Sequence, residues 1–194
     1  MLRVCVIRKL LILAAIILPL AACTSAKVEP LSESPQQASV PNAPVLYQEV
    51  AIGDLTATRE IWNHYLPYLR EGIAKELEES GKFQRVHVSL PDPAGERLLV
   101  LSGQLTTMDE GSKALRFLIG FGAGSTTAAG TFELADGGGS LARFNIETDY
   151  AGGAGIGGLD MISTNELVQK LGVDAAEATV RWSQGKGLKP PTKN

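Results

Sequence analysis

The sequence predicts an α+β domain: a mostly antiparallel sheet with two main helices packed on one face, after a signal peptide and a flexible tether. Three observations predict it. Apolar residues recur at helical spacing in two places, from Ile61 to Ser80 and from Leu167 to Trp182. Between them, the runs 99–106, 127–134 and 142–150 alternate with period two, as strands with one buried face do. Thirteen of the 21 glycines fall between Gly111 and Gly158, where they punctuate those strands and their junctions. The order strand, helix, several strands, helix belongs to an α+β layer.

A length of 194 residues suits one domain, and no fixed-period repeat divides it. Two cysteines without a CxxC pair exclude a disulfide-dense scaffold and thioredoxin-like redox work. A net charge of −3 gives no electrostatic footprint for nucleic acid, so no nucleic-acid partner is expected.

The N-terminus reads as an address. Arg3, Arg8 and Lys9 precede the apolar run Leu10 to Leu18, and small residues follow, as in a secretory signal peptide. The run is shorter than the ~20 residues of a bilayer span. Leu20-Ala21-Ala22-Cys23 resembles the bacterial lipobox, which implies cleavage before Cys23 and its modification with acyl chains, palmitate among them. Several chains on one residue hold stably where one is marginal. The expected product begins at Cys23, has no free thiol, and carries a net charge of −6, because the leader holds three bases and no acid. By analogy with lipoprotein sorting, Thr24 rather than Asp after the cysteine directs a Gram-negative product to the outer membrane, facing the periplasm. Residues 1–22 are thus read as leader, and 23–44 as lipidated cysteine plus disordered linker, rich in Ser, Pro, Gln and Ala.

The domain proper is expected at 45–187, with a loose tail at 188–194. Val45 to Leu55 supplies a first strand ending at Gly53-Asp54. In the first helical stretch Pro67 permits two arrangements, a helix starting near Leu66 with Pro67 in its first turn, or an earlier turn kinked there. Ser80-Gly81 stops it. Trp62 and Tyr68 read as packing aromatics in preference to a ligand-stacking pair. Val86 to Leu90 is a short strand closed by Pro91-Asp92-Pro93. Asp136-Gly137-Gly138-Gly139 joins two strands as a hairpin, and the other ligands of a calcium loop are missing. Ala142, Phe144, Ile146, Thr148 and Tyr150 share one face of the second strand. Ser163 and Glu166 stand at capping-box spacing before a helix reaching about Gln184, with Gly172 a point of interruption.

The most unusual segment is Arg116-Phe117-Leu118-Ile119-Gly120-Phe121-Gly122-Ala123-Gly124-Ser125. A dinucleotide loop needs GxGxxG between strand and helix; here the spacing differs and a β-alternating run follows. No GKS or GKT completes a P-loop. Two readings stand: a strand-connecting loop that exploits glycine's conformational range, and a contact surface in which Phe117, Leu118, Ile119 and Phe121 meet a partner or lipid.

The segment resembles the signature of a bacterial lipoprotein family, domain of unknown function 4410, over roughly Tyr47 to Lys186. The resemblance rests on Leu101-x-Gly103, Arg116 with Gly120-Phe121-Gly122-Ala123-Gly124, Asp136-x-Gly138, and Gly157-Gly158 before the last helix. It implies class and location and brings no activity. The layout is also similar to the periplasmic domain of the curli-secretion lipoprotein pore, without a recognisable membrane-crossing hairpin pair.

Catalytic candidates are thin. His64 and His87 lack spaced partners for zinc, no GxSxG elbow is present, and Asp109-Glu110 before Gly111 reads as a solvated turn. The expectation is therefore a non-enzymatic envelope lipoprotein without metal or cofactor. It would be anchored to the membrane at Cys23 and bind another envelope protein. The alternative is an oligomeric, pore-associated accessory of a secretion or transport system. The sequence leaves the oligomeric state unassigned.

Overall fold

The computed structural model describes residues 24–33, 47–92, 97–109, 126–150 and 162–188. Among the described residues six strands form one mixed sheet: β1 (Thr24–Glu33), β2 (Glu49–Ala57), β3 (Arg85–His87), β4 (Leu98–Asp109), β5 (Thr126–Asp136) and β6 (Gly139–Tyr150). A 3-10 turn at Glu60–Tyr65 leads into helix α1 (Leu66–Glu79), and helix α2 (Thr164–Ser183) closes the described chain. The strand order is β1-β6-β5-β4-β2-β3. Pairs β1–β6, β5–β6 and β4–β5 are antiparallel, whereas β2 runs parallel to both β4 and β3.

Alternation decides which face is buried. Ala128, Phe132 and Leu134 of β5, with Ala142, Phe144 and Ile146 of β6, turn inward beneath the helices. Their neighbours Thr127, Thr131, Glu133, Arg143, Asn145 and Asp149 form the opposite, polar face. There Thr127 Oγ1 donates to Asp149 Oδ1 at 2.6 Å and Thr131 Oγ1 to Asn145 Oδ1 at 2.7 Å. Leu69, Ile73 and Leu77 of α1 and Leu167, Leu171, Ala175 and Trp182 of α2 complete one core. Trp62 and Tyr68 pack against it, partly buried.

Local expectations meet their physical causes here. Pro67 sits in the first turn of α1, where its missing N–H costs no hydrogen bond. The capping box is formed: Ser163 Oγ accepts from Glu166 N at 3.2 Å, and Glu166 Oε2 accepts from Ser163 N at 2.7 Å. Bonds from the Ser163 backbone and hydroxyl hold the Glu166 carboxyl below its ordinary range. Asp136 shapes the β5–β6 turn by accepting from Gly138 N at 2.8 Å. Gly103, part of the family-like signature, makes room for an aromatic: a Cβ there would lie 2.6 Å from Phe132 Cδ1.

Three expectations change. The stretch read as a linker supplies β1, paired along β6 from Thr24↔Tyr150 to Glu33↔Ala142. It escapes a periodicity search because it is an edge strand, and among its described side chains Val28 is the one buried hydrophobic. Pro30 is tolerated on an edge, and here it lies beside a bulge. The first strand of the domain does not end at Gly53-Asp54; β2 continues to Ala57 through a register shift between Ile52 and Leu55. Finally, α2 runs unbroken through Gly172. A methyl on Gly172 would strike Leu69 O, and one on Gly72 would strike Gln169 O, so the glycines let the two helices meet backbone to backbone.

Candidate functional site

The sequence-predicted site residues Cys23, Phe117, Leu118, Ile119 and Phe121 lie outside the described residues. What is described is the frame that carries them. Asp109 and Thr127 are paired, Thr126 faces Tyr150, and Tyr150 faces Thr24. Thr24, Asp109, Thr126 and Tyr150 therefore share one end of the sheet.

Polar side chains elsewhere are engaged in structural bonds. Glu49 on β2 bridges two residues of β3: Oε1 accepts from Arg85 Nη1 at 2.9 Å, and Oε2 lies 2.7 Å from His87 Nε2. The His87 hydrogen bond, aided by the Arg85 charge, holds the Glu49 carboxyl low against the opposing effect of burial. His87 thus pins a three-residue edge strand. His64 leans on Tyr65, ring centroids 3.9 Å apart. Under the sheet, Thr148 Oγ1 donates to Asp174 Oδ2 at 2.7 Å, and Lys170 pairs with Asp174 from the preceding helical turn. Glu76 faces this knot. Burial, then the charges of Glu177, Glu79 and Asp174, push its carboxyl upward against the pull of Lys170. Tyr47 stacks on Trp182 and donates to Asp136 at 2.8 Å; burial and that carboxylate raise its phenol.

A shallow cleft of about 270 Å³ lies beside β3, lined by Ile52, Gly53, Asp54, Arg70, Val88, Ser89 and Leu90. Its cation is committed to the backbone: Arg70 donates to Val88 O at 2.6 Å, Gly53 O at 3.3 Å and Ile52 O at 3.5 Å. Among the described residues no group of three or more His, Cys, Asp or Glu could hold a metal. No nucleophile–base–orienter set converges there either. The large hydrophobics left exposed among them are Leu31, Ile61, Val88 and Leu90. Leu31 is on edge strand β1; Val88 and Leu90 follow edge strand β3. Sequence reasoning missed this pairing of edges, because only strand order reveals which strands are outermost.

Fold and site together define an α+β domain whose sheet has β1 and β3 as its outermost strands among the described residues, with a polar face opposite the helices. The family model described as Domain of unknown function (DUF4410) matches residues 60–154, from the 3-10 turn to just beyond β6. The crystal structure of protein XCC0632 from Xanthomonas campestris, assigned to DUF330, shares the fold. It has 10% identity over 75% of this chain and 91% of that one, with a TM-score of 0.52. The PelC dodecamer from Paraburkholderia phytofirmans aligns at 15% identity over 85% of this chain and all of that one, with a TM-score of 0.49. A single-residue variant of that dodecamer aligns with the same identity and coverage and a TM-score of 0.47. No curated protein sequence matches. Against the blank that the sequence left for oligomeric state, both PelC structures are dodecamers, a defined assembly.

Proposed function

We propose that this chain is a non-enzymatic, lipid-anchored envelope component that works as an oligomer, as an accessory of a secretion or transport system. The observation that carries the reading is the placement of exposed apolar side chains on unlike, opposite edges of one sheet. Leu31 marks the β1 edge; Val88 and Leu90 mark the β3 edge. Contact between unlike surfaces is heterologous, and such contacts close into rings when the rotation permits. This favours the oligomeric accessory over a solitary binding lipoprotein. The PelC assembly is in keeping with the reading and does not carry it.

The anchor at Cys23 and an outer-membrane, periplasm-facing location belong to the same proposal, on the strength of the leader and Leu20-Ala21-Ala22-Cys23. So does partner contact through Phe117, Leu118, Ile119 and Phe121, which fall within the stretch matched by the family model.

Native mass measurement of the full protein in detergent tests the assembly. A single closed oligomer is expected, with the Val88→Asp, Leu90→Asp double variant shifted to smaller species while retaining its circular dichroism. A strict monomer at high concentration overturns the oligomeric reading. Capture of envelope proteins that is unchanged in a Phe117→Ala, Phe121→Ala variant removes those residues from the contact.

A further inference from the structure

We propose that the sheet end formed by Thr24, Asp109, Thr126 and Tyr150 faces the membrane surface, with the strands standing away from it. The inference rests on the lipid-anchor reading of Cys23 and adds an orientation and a contact surface to it. A disordered linker over 23–44 would let the domain roam, since an extended chain spans up to about 3.3–3.6 Å per residue, some 70 Å in all. The structure removes most of that freedom. Strand β1 starts at Thr24, the residue after Cys23, and its pairing with β6 holds from Thr24↔Tyr150 to Glu33↔Ala142. One residue of reach remains, about 3.5 Å, between the acylated position and the end of the sheet.

The strand register then acts as a ruler. Glu147 lies three residues from Tyr150 and is level with Thr107 through their shared neighbour Ala129. Both are exposed and stand about 10 Å up the sheet at ~3.3 Å per residue. Ser140 lies ten residues from Tyr150, beside the β5–β6 turn that includes Gly137; both are exposed, about 33 Å up. The β1–β6 ladder is continuous with β5 and β4, so β1 and the sheet move as one body. The end bearing Thr24, Asp109, Thr126 and Tyr150 thus faces the bilayer, while the polar sheet face, with Glu133, Arg143 and Glu147, stands roughly perpendicular to it.

The test uses the full lipidated chain in vesicles of phosphatidylethanolamine and phosphatidylglycerol. On the anchor reading the processed form has no free thiol, so Thr107→Cys, Glu147→Cys, Gly137→Cys and Ser140→Cys each carry one fluorophore. Lipids bearing a headgroup nitroxide serve as a short-range quencher. Quenching is expected to be at least about threefold stronger at 107 and 147 than at 137 and 140, following the rise along the strands. A spacer of ten Gly and Ser residues inserted between Cys23 and Thr24 is expected to abolish the difference. Equal quenching at all four positions, or the reverse order, overturns the orientation while the anchor reading stands. Mass analysis of the N-terminal peptide checks acylation separately; an unmodified Cys23 overturns the anchor and this inference together.

Discussion

Gly72 and Gly172 are a hundred residues apart and carry no side chain, yet the packing of the two helices depends on them. A Cβ at Gly172 would overlap Leu69 O and come within 2.9 Å of Ile73 N; one at Gly72 would overlap Gln169 O. The obstacles are backbone atoms, so no rotamer change relieves them. The helices must separate, and a gap of about 0.5–1 Å forfeits a quarter to a half of each dispersion contact across it. Leu69 and Ile73 of α1 and Leu171 of α2, all fully buried, lie along that contact. Overpacking costs about 1–3 kcal/mol, toward the upper end when backbone has to move. Replacing a mid-helix glycine with alanine returns about 1 kcal/mol through helix propensity. The net expectation for Gly172→Ala is a loss of about 2 kcal/mol, or about 4–8 °C in melting temperature for a domain of this size. Thermal unfolding followed by circular dichroism measures it. Gly137→Ala serves as control, since nothing lies within 4 Å of its Cβ position. The double variant should cost less than the sum of the singles, because helices already parted admit the second methyl. If Gly172→Ala melts at or above the parent temperature with helix content retained, the close-approach argument is wrong.

Two further predictions concern the polar groups beneath the sheet. Asp174→Ala strands the buried Thr148 hydroxyl and deprives Lys170 of its partner, so a loss of about 1–3 kcal/mol is expected in urea unfolding. An unchanged midpoint would show that water replaces the carboxylate. Glu76 has a carboxyl raised by burial and by neighbouring acids, so its ionised form opposes folding. That opposition is absent below its unfolded-state pKa and complete above its raised folded-state value. Glu76→Gln should therefore raise the urea midpoint at pH 7 and leave it nearly unchanged at pH 4; equal gains at both values would refute the electrostatic cause.

What the sequence made legible was what local pattern encodes. The alternation through Phe132 and Phe144 marked inward faces correctly, and Ser163 with Glu166 marked the start of α2, because each signal is complete within a few residues. Partner identity is different. Nothing in Glu49–Ala57 announces that β2 lies parallel between β4 and β3, since period two fixes a face and not a neighbour. Thr148 could be placed among inward residues from alternation alone, but Asp174, its hydrogen-bond partner, emerges only when α2 crosses the sheet. Edge strand β1 was invisible for a related reason. It needs one flank of backbone hydrogen bonds and, among its described side chains, buries a single hydrophobic, Val28, so its composition resembles that of a linker.

The two proposals constrain each other. Contacts between sheet edges propagate across the strands, from β3 of one copy toward β1 of the next, whereas the membrane is met along the strands, at the end bearing Thr24 and Tyr150. These directions are roughly perpendicular. A two-fold axis lying across the strands would point one Cys23 at the bilayer and its mate away from it, leaving one anchor without lipid. A rotation axis along the strands keeps every anchor on the same rim and repeats the same unlike-edge contact at each step. Of the closed symmetries open to a homo-oligomer, anchoring therefore favours a cyclic one whose axis is the membrane normal. Such an assembly has one rim of acylated strand ends and an opposite rim of β5–β6 turns carrying Asp136, Gly137 and Gly138.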